Sequence, residues 1–232
     1  MVKRILTIFF VILFLICNSS FAQVATPKLI HFSRADFKAD PQFWTLCEDQ
    51  NGTLLFGNND GAIVFDGEHW KSLKLPNNSA IRSMYKANDG KIYACGYNEM
   101  GTVQKNKYGT YFYKSFMADF HLLDKNFENF WQVVQVNSSV IYRSFSELVL
   151  VNNNRIIQIP ANNSFVFAAK IDSKYFVQDI NFGIYELNAS TQKLTKKEIE
   201  NLSKADLYVL RNTIYAKHGY SFKNRQLRTF FD

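Results

Sequence analysis

Between Phe43 and Trp70 the chain reads FWTLCEDQNGTLLFGNNDGAIVFDGEHW, in which short apolar runs alternate with glycine-centred turns. The runs Phe43–Cys47, Thr53–Phe56 and Ala62–Phe65 are too short for helices and have the length of strands, and an outer strand holding Trp70 and Leu73 is expected after Gly67. Asn51-Gly52 and Asp66-Gly67 between them are dipeptides that favour two-residue type I′ hairpins, which require positive φ at both central positions. Strands joined this tightly predict an antiparallel meander.

The pattern returns. Asp89-Gly90 stands 38 residues after Asn51-Gly52, and Gly101 answers Gly61 at a spacing of 40. A second unit therefore runs through Ile81–Tyr85, Lys91–Cys95, the segment at Gly101 and Tyr111–Phe116. A third follows in Phe130–Val134, Val140–Phe145, Glu147–Val151 and Arg155–Ile159. A fourth, in Phe165–Lys170, Tyr175–Gln178 and Gly183–Leu187, is recognisable by strand rhythm. Repetition of one four-stranded unit predicts a mainly β fold, a partial or small β-propeller of about four antiparallel blades. Leu29–Phe32 is the expected closing strand, which would complete the last blade and remove a raw edge.

After Asn188 the pattern turns helical. Leu202-Ser203-Lys204-Ala205-Asp206 has the form of a capping box, with Asp in place of the usual Glu. Leu207, Leu210, Ile214 and His218 then share one helical face, Gly219 supplies a left-handed terminator, and a second helix is expected from about Asn224. The domain expectation is a signal peptide over 1–22, blades over 23–190 and a short helical module over 191–232.

Composition adds the compartment. Lys3 and Arg4, the apolar run Ile5–Cys17 and Ser20-Phe21-Ala22 read as a cleaved signal peptide, with no transmembrane segment after it. The expected location is periplasmic or secreted. Cys47 and Cys95 fall on predicted strands and are expected as free core thiols, although an oxidising compartment permits a disulfide. Residues 23–192 carry 16 Lys+Arg against 16 Asp+Glu, whereas 193–232 carry 9 against 4. The excess positive charge lies in the C-terminal segment, suiting an anionic partner or a solvated helix surface.

The matching words now extend beyond turn chemistry. Phe32-Ser33 with Asp36–Asp40, Phe56–Gly61, Phe65-Asp66-Gly67 with Trp70, and Arg82-Ser83 belong together. So do Gly90–Tyr93, Glu99-Met100-Gly101, Arg143-Ser144-Phe145 and Gly183–Leu187. Residues 28–190 resemble the two-component regulator propellers, or ligand-binding sensor domains, of Bacteroidetes. In that family a longer propeller precedes an immunoglobulin-like domain, a transmembrane helix and a cytoplasmic module. The string Leu210–Phe222 resembles the YARHG domain, with motif positions Arg211, Asn212, Tyr215, Ala216, Lys217, His218 and Gly219. Lys217 stands where that family has Arg, and residues 194–232 read as a truncated copy of it.

The search for chemistry gives no catalytic constellation. His31, His69, His121 and His218 lie far apart, no Cys/His cluster has metal spacing, and no phosphate-binding glycine loop occurs. Neither cofactor, metal nor nucleic acid is expected. Asp60, Asp66, Glu68 and Glu99 are the acids an enzyme would draw on, but Asp60 and Asp66 suit turns beside Gly61 and Gly67. Trp44, Trp70 and Trp131 suit either sugar stacking or packing between blades. Loops between second and third strands share a face with the loops that join blades. That face is expected to carry Asn58, Asn59, Asp60, Asn77, Asn78, Tyr97, Asn98 and Glu99, a polar mouth for a polar ligand such as a glycan. The readings that follow are a non-catalytic extracytoplasmic sensor-type binding module and, alternatively, an envelope protein docking its basic end on peptidoglycan or another anionic polymer. An enzyme is the third reading, which fold alone does not license.

Overall fold

The computed structural model describes residues 29–152, 155–188 and 193–197, together with Arg4, Thr191 and Asn212. The chain divides into two compact units, residues 1–33 and 34–232. In the first unit the expected closing strand is not formed. Residues 29–33 carry no strand, and Leu29 and Ile30 are exposed. A run this short buries too little apolar surface to stay extended without a ladder.

The second unit opens with α1 (Arg34–Phe37), a single turn ended by Lys38 at φ 52°. Four antiparallel four-stranded sheets follow, each built from consecutive strands. The first holds β1 (Phe43–Glu48), β2 (Leu54–Asn58), β3 (Gly61–Phe65) and β4 (Trp70–Leu73). The second holds β5 (Ile81–Lys86), β6 (Ile92–Gly96), β7 (Glu99–Lys105) and β8 (Tyr111–Ser115). The third holds β9 (Gln132–Val136), β10 (Ser139–Arg143), β11 (Glu147–Asn152) and β12 (Arg155–Pro160). The fourth holds β13 (Phe165–Ile171), β14 (Lys174–Asp179), β15 (Gly183–Asn188) and β16 (Lys193–Lys197). β16 lies inside the segment expected to be helical. The remainder of that segment, apart from Thr191 and Asn212, falls outside the described residues.

The hairpins differ from the expected type. Gly52 has φ 80°, but Asn51 is not in the left-handed region, so the turn is not type I′. Asp49 N–H donates to Thr53 O, leaving a three-residue loop with glycine last, the type I turn with a G1 bulge. The same closure recurs from Ala87 to Lys91 and from Asn106 to Thr110. In the first and third of these loops a side-chain oxygen at the opening position, from Asp49 or Asn106, accepts two later backbone N–H groups. Pairing also corrects the repeat. Asn58 pairs with Gly61 and Gly96 with Glu99, so Glu99, not Gly101, takes the place of Gly61. The spacing of 38 therefore persists into β7, and the added residues lengthen the β7–β8 hairpin, whose ladder runs two pairs further than that of β3–β4.

Each sheet is too thin to bury its own apolar face, and the sheets cover one another. Leu55, Ala62 and Val64 of the first meet Ile81, Ala94 and Val103 of the second. Cys95, Met100, Phe130, Tyr142 and Val149 close the second against the third, and Val136, Ile141, Leu148, Phe165 and Tyr175 the third against the fourth. The inner strand β5 packs between β1 and β9. Tyr142 is fully buried and satisfies its hydroxyl on Gly101 O at 3.0 Å. Cys47 and Cys95 are free and buried, and burial raises both thiol pKa values.

The outward face of the first sheet is covered from within the unit. Phe37 of α1 lies 5.3 Å from Phe43 and 5.8 Å from Trp70, and Trp70 stacks on Phe65 at 4.3 Å. Trp70 is therefore packing, one of the two roles its sequence position allowed.

At the far end of β1 a polar cluster pins the first sheet to the second. Asp49 Oδ2 accepts Lys105 Nζ at 2.9 Å and the Tyr111 hydroxyl, while Oδ1 accepts the N–H groups of Asn51 and Thr53. Burial acts to raise the Asp49 pKa, but these bonds outweigh it and hold the carboxyl below the usual carboxylate range.

Candidate functional site

The inner strands share an irregularity near their starts. The register of β1 skips Trp44, that of β5 skips Arg82 and that of β13 skips Val166. Trp131 precedes the pairing of Gln132 with Arg143 and donates its backbone N–H to Arg143 O at 2.8 Å. A bulge leaves its extra residue outside the ladder and re-aims its side chain. Here it gathers residues from successive sheets.

Arg82 lies between two indoles. Its Cζ is 3.9 Å from the Trp44 ring centroid and 5.4 Å from that of Trp131, and the two rings are 6.4 Å apart at 74°. Stacking on an indole face stabilises a guanidinium by roughly 1 kcal/mol. Phe145 extends the row at 5.6 Å from Trp131, and Arg143 Cζ lies 5.9 Å from the Phe145 ring. Arg143 ties the third sheet to the fourth, Nη1 donating to Phe165 O at 2.7 Å. Trp44 and Phe145 stay about two-fifths exposed, so the row reaches the surface.

The cluster is rich in donors and poor in acceptors. Asn59 Oδ1 accepts Trp44 Nε1 at 2.7 Å and Arg82 Nη1 at 3.4 Å. Arg82 Nε, Trp131 Nε1 and Arg143 Nε are buried without an acceptor among the described residues. Neither arginine forms an ion pair among those residues. Burial lowers the pKa of both guanidinium groups.

Of the sequence-predicted mouth residues, the structure brings Asn59 alone into contact with this row. Asn58 is buried and structural, donating to Asp40 O and Gln42 O and accepting from Asp60 N. Asp60 accepts the Asp40 N–H. Asn77 donates to Tyr97 O and accepts Ser79 N–H, and Asn78 and Asn98 take positive φ in their turns. Asn98 Oδ1 accepts the Phe127 N–H, and Tyr97 is half exposed. Glu99 is buried with Oε1 accepting the Ser115 hydroxyl at 3.0 Å, and burial raises its pKa. Of the motif positions 211–219, Asn212 alone is described, and it is buried.

Arg82, Arg143 and Phe145 were missed as site residues. The signals were Arg82 standing 38 residues after Trp44, and the repeated Phe-Trp at 43–44 and 130–131. A cleft of about 800 Å³ between the second and third sheets offers a second concavity, bordered by Tyr93, Phe116, Gln104 and Gln135. Its charged rim is self-paired, Lys91 with Asp89 at 2.9 Å and Lys114 with Asp119 at 3.7 Å. It has no unmet polar group comparable to the Arg82 row. Among the described residues no group of His, Cys, Asp and Glu has the arrangement to hold a metal ion, and no helix is long and apolar enough to cross a membrane.

Successive four-stranded antiparallel sheets, facing one another and joined through their inner strands, define a β-propeller fold. Solved structures agree on the fold. The WD40 β-propeller domain of Doa1 aligns at TM-score 0.50 with 14% identity, over 70% of this chain and 57% of that one. The extracellular domain of a putative hybrid two-component system of B. thetaiotaomicron aligns at TM-score 0.52 with 16% identity, over 69% and 22%. A catalytically inactive virginiamycin B lyase of Staphylococcus aureus with quinupristin aligns at TM-score 0.52 with 15% identity, over 68% and 55%. The chain thus spans 22–57% of the length of these three structures. Residues 182–232 match the YARHG domain family. That match begins inside the fourth sheet, taking in β15 and β16. No curated protein matches the sequence.

Proposed function

We propose that this chain is an extracytoplasmic, non-catalytic binding module of the sensor type, recognising a polar ligand of the glycan class at the bulged ends of its inner strands. The observation that carries the reading is the row Trp44–Arg82–Trp131–Phe145, exposed at its rims and holding N–H groups without acceptors. Aromatic faces beside fixed donors suit a sugar, whose C–H face stacks while its hydroxyls take hydrogen bonds. Likeness to an extracellular regulator domain and to a lyase supports the fold, and either function can be grafted on it. The reading includes residues 1–22 as a signal peptide, the blades as the binding part and the portion of the YARHG-matched segment that follows β16 as an appendage. Asn58, Asn77, Asn78 and Asn98 enter it as supports of the mouth loops.

A glycan array with mass-spectrometric recovery of each bound saccharide tests the proposal. Reversible binding with intact recovery is expected. Recovery of a shortened or eliminated product would replace it with an enzyme.

A further inference from the structure

We infer that the Arg82 row selects a ligand bearing an oxyanion, a carboxylate or sulfate, over its neutral counterpart. The inference rests on the binding reading above and sharpens it.

A guanidinium is usually neutralised or solvated, and buried N–H groups are nearly always bonded. Here the nearest protein acceptor is the amide oxygen of Asn59, already shared between Trp44 Nε1 and Arg82 Nη1. Asp60, which adjoins Asn59, accepts the Asp40 N–H, and Asp40 in turn accepts the Gln42 N–H. The Trp44 ring face lies 3.9 Å from Arg82 Cζ and Trp131 stands nearly perpendicular to it at the side, leaving the Nε of Arg82 as an unmet donor. The Nε edge is the geometry by which arginine takes two oxygens of one anion. Trp131 Nε1 adds a second unmet donor within the same row, and Arg143, 92% buried, places a second unpaired guanidinium beside Phe145. A neutral saccharide would supply single acceptors to these groups but would leave the buried Arg143 and the half-buried Arg82 without a counter-charge.

Array hits are then titrated, the wild type and two variants being followed by tryptophan fluorescence. Two of the three tryptophans, Trp44 and Trp131, flank Arg82. Probes are glucuronate- and galacturonate-bearing oligosaccharides, sulfated oligosaccharides and their neutral parents. Anionic members are expected to bind at least tenfold more tightly than neutral parents, the tighter of the carboxylate and sulfate arms identifying the source. Arg82→Gln is expected to erase that preference. Arg82→Lys, which keeps the charge without the planar fork, is expected to lose roughly tenfold. The urea midpoint of each variant shows that it is folded. Equal binding of neutral and anionic probes, or an anionic preference that survives Arg82→Gln, would overturn the selectivity while leaving the binding reading intact. Absence of any array hit would overturn both.

Discussion

The two ends of β1 carry polar clusters of opposite character. Beyond its C-terminal end the Asp49 carboxylate accepts two loop N–H groups, a tyrosine hydroxyl and a lysine ammonium. Near its N-terminal end Arg82 has one long bond to an amide and two ring faces. Both join the first sheet to the second, yet in the first every described group is paired and in the second donors are left over. A charge whose partners are all internal contributes to the fold. One held in place without its counter-charge is what the proposed binding role rests on.

The largest expected effect comes from breaking the paired cluster. Asp49→Ala strands Lys105, Tyr111 and two loop N–H groups and should lower stability by about 3 kcal/mol, read from the urea midpoint. A loss below about 1 kcal/mol would mean that water replaces the carboxylate freely. The pH dependence has a definite sign. The folded Asp49 pKa lies below its ordinary 3.8, so its contribution is present above that value and disappears as pH falls. The stability gap between wild type and Asp49→Asn should therefore shrink below about pH 4 in acid titrations of unfolding.

Tyr111→Phe removes one donor from the same carboxylate and should cost about 1 kcal/mol by the same measurement. Arg82→Gln probes the other cluster and should lose no more than about 1 kcal/mol, the stacking contribution, because no internal ion pair is broken. A larger loss would move Arg82 from recognition to structure. The smallest effect is expected at Glu99. Its folded pKa is raised by burial, so the stability it lends is present at low pH and lost as pH rises through the folded value. Glu99→Gln should consequently be neutral below pH 4 and slightly stabilising at pH 8, seen as a small rise in Tm.

A second contrast concerns the outward faces of the terminal sheets. On the first, Phe37, Phe43, Phe56, Phe65 and Trp70 form one aromatic layer. On the fourth, Phe167 and Ile171 are more than half exposed. The short segment Arg34–Asp40 supplies this cover. Its words Asp36-Phe37-Lys38 gave a family resemblance, but neither the helical turn nor its packing was apparent from them.

What was legible in the sequence follows from short-range physics. Glycine positions, alternation and the spacing of 38 are local properties, and they located fifteen of the sixteen strands. The missed strand, β16, reads Lys-Leu-Thr-Lys-Lys, an edge strand whose charges mask its alternation and whose pairing with β15 defines it. Turn type was misread because Asn51-Gly52 permits two loop closures, and Asp49 decides between them by accepting Asn51 and Thr53 N–H. The site was only half legible for a related reason. Sequence spacing could mark Trp44, Arg82 and Trp131 as belonging to inner strands. Their meeting depends on bulges and on the approach of successive sheets, which fix distances between residues 38 and 49 positions apart. Sequence by itself determined the repeated unit, because strand and turn preferences act within a few residues. Tertiary structure decided which of its polar groups were satisfied, because that depends on what the neighbouring sheet brings within hydrogen-bonding reach.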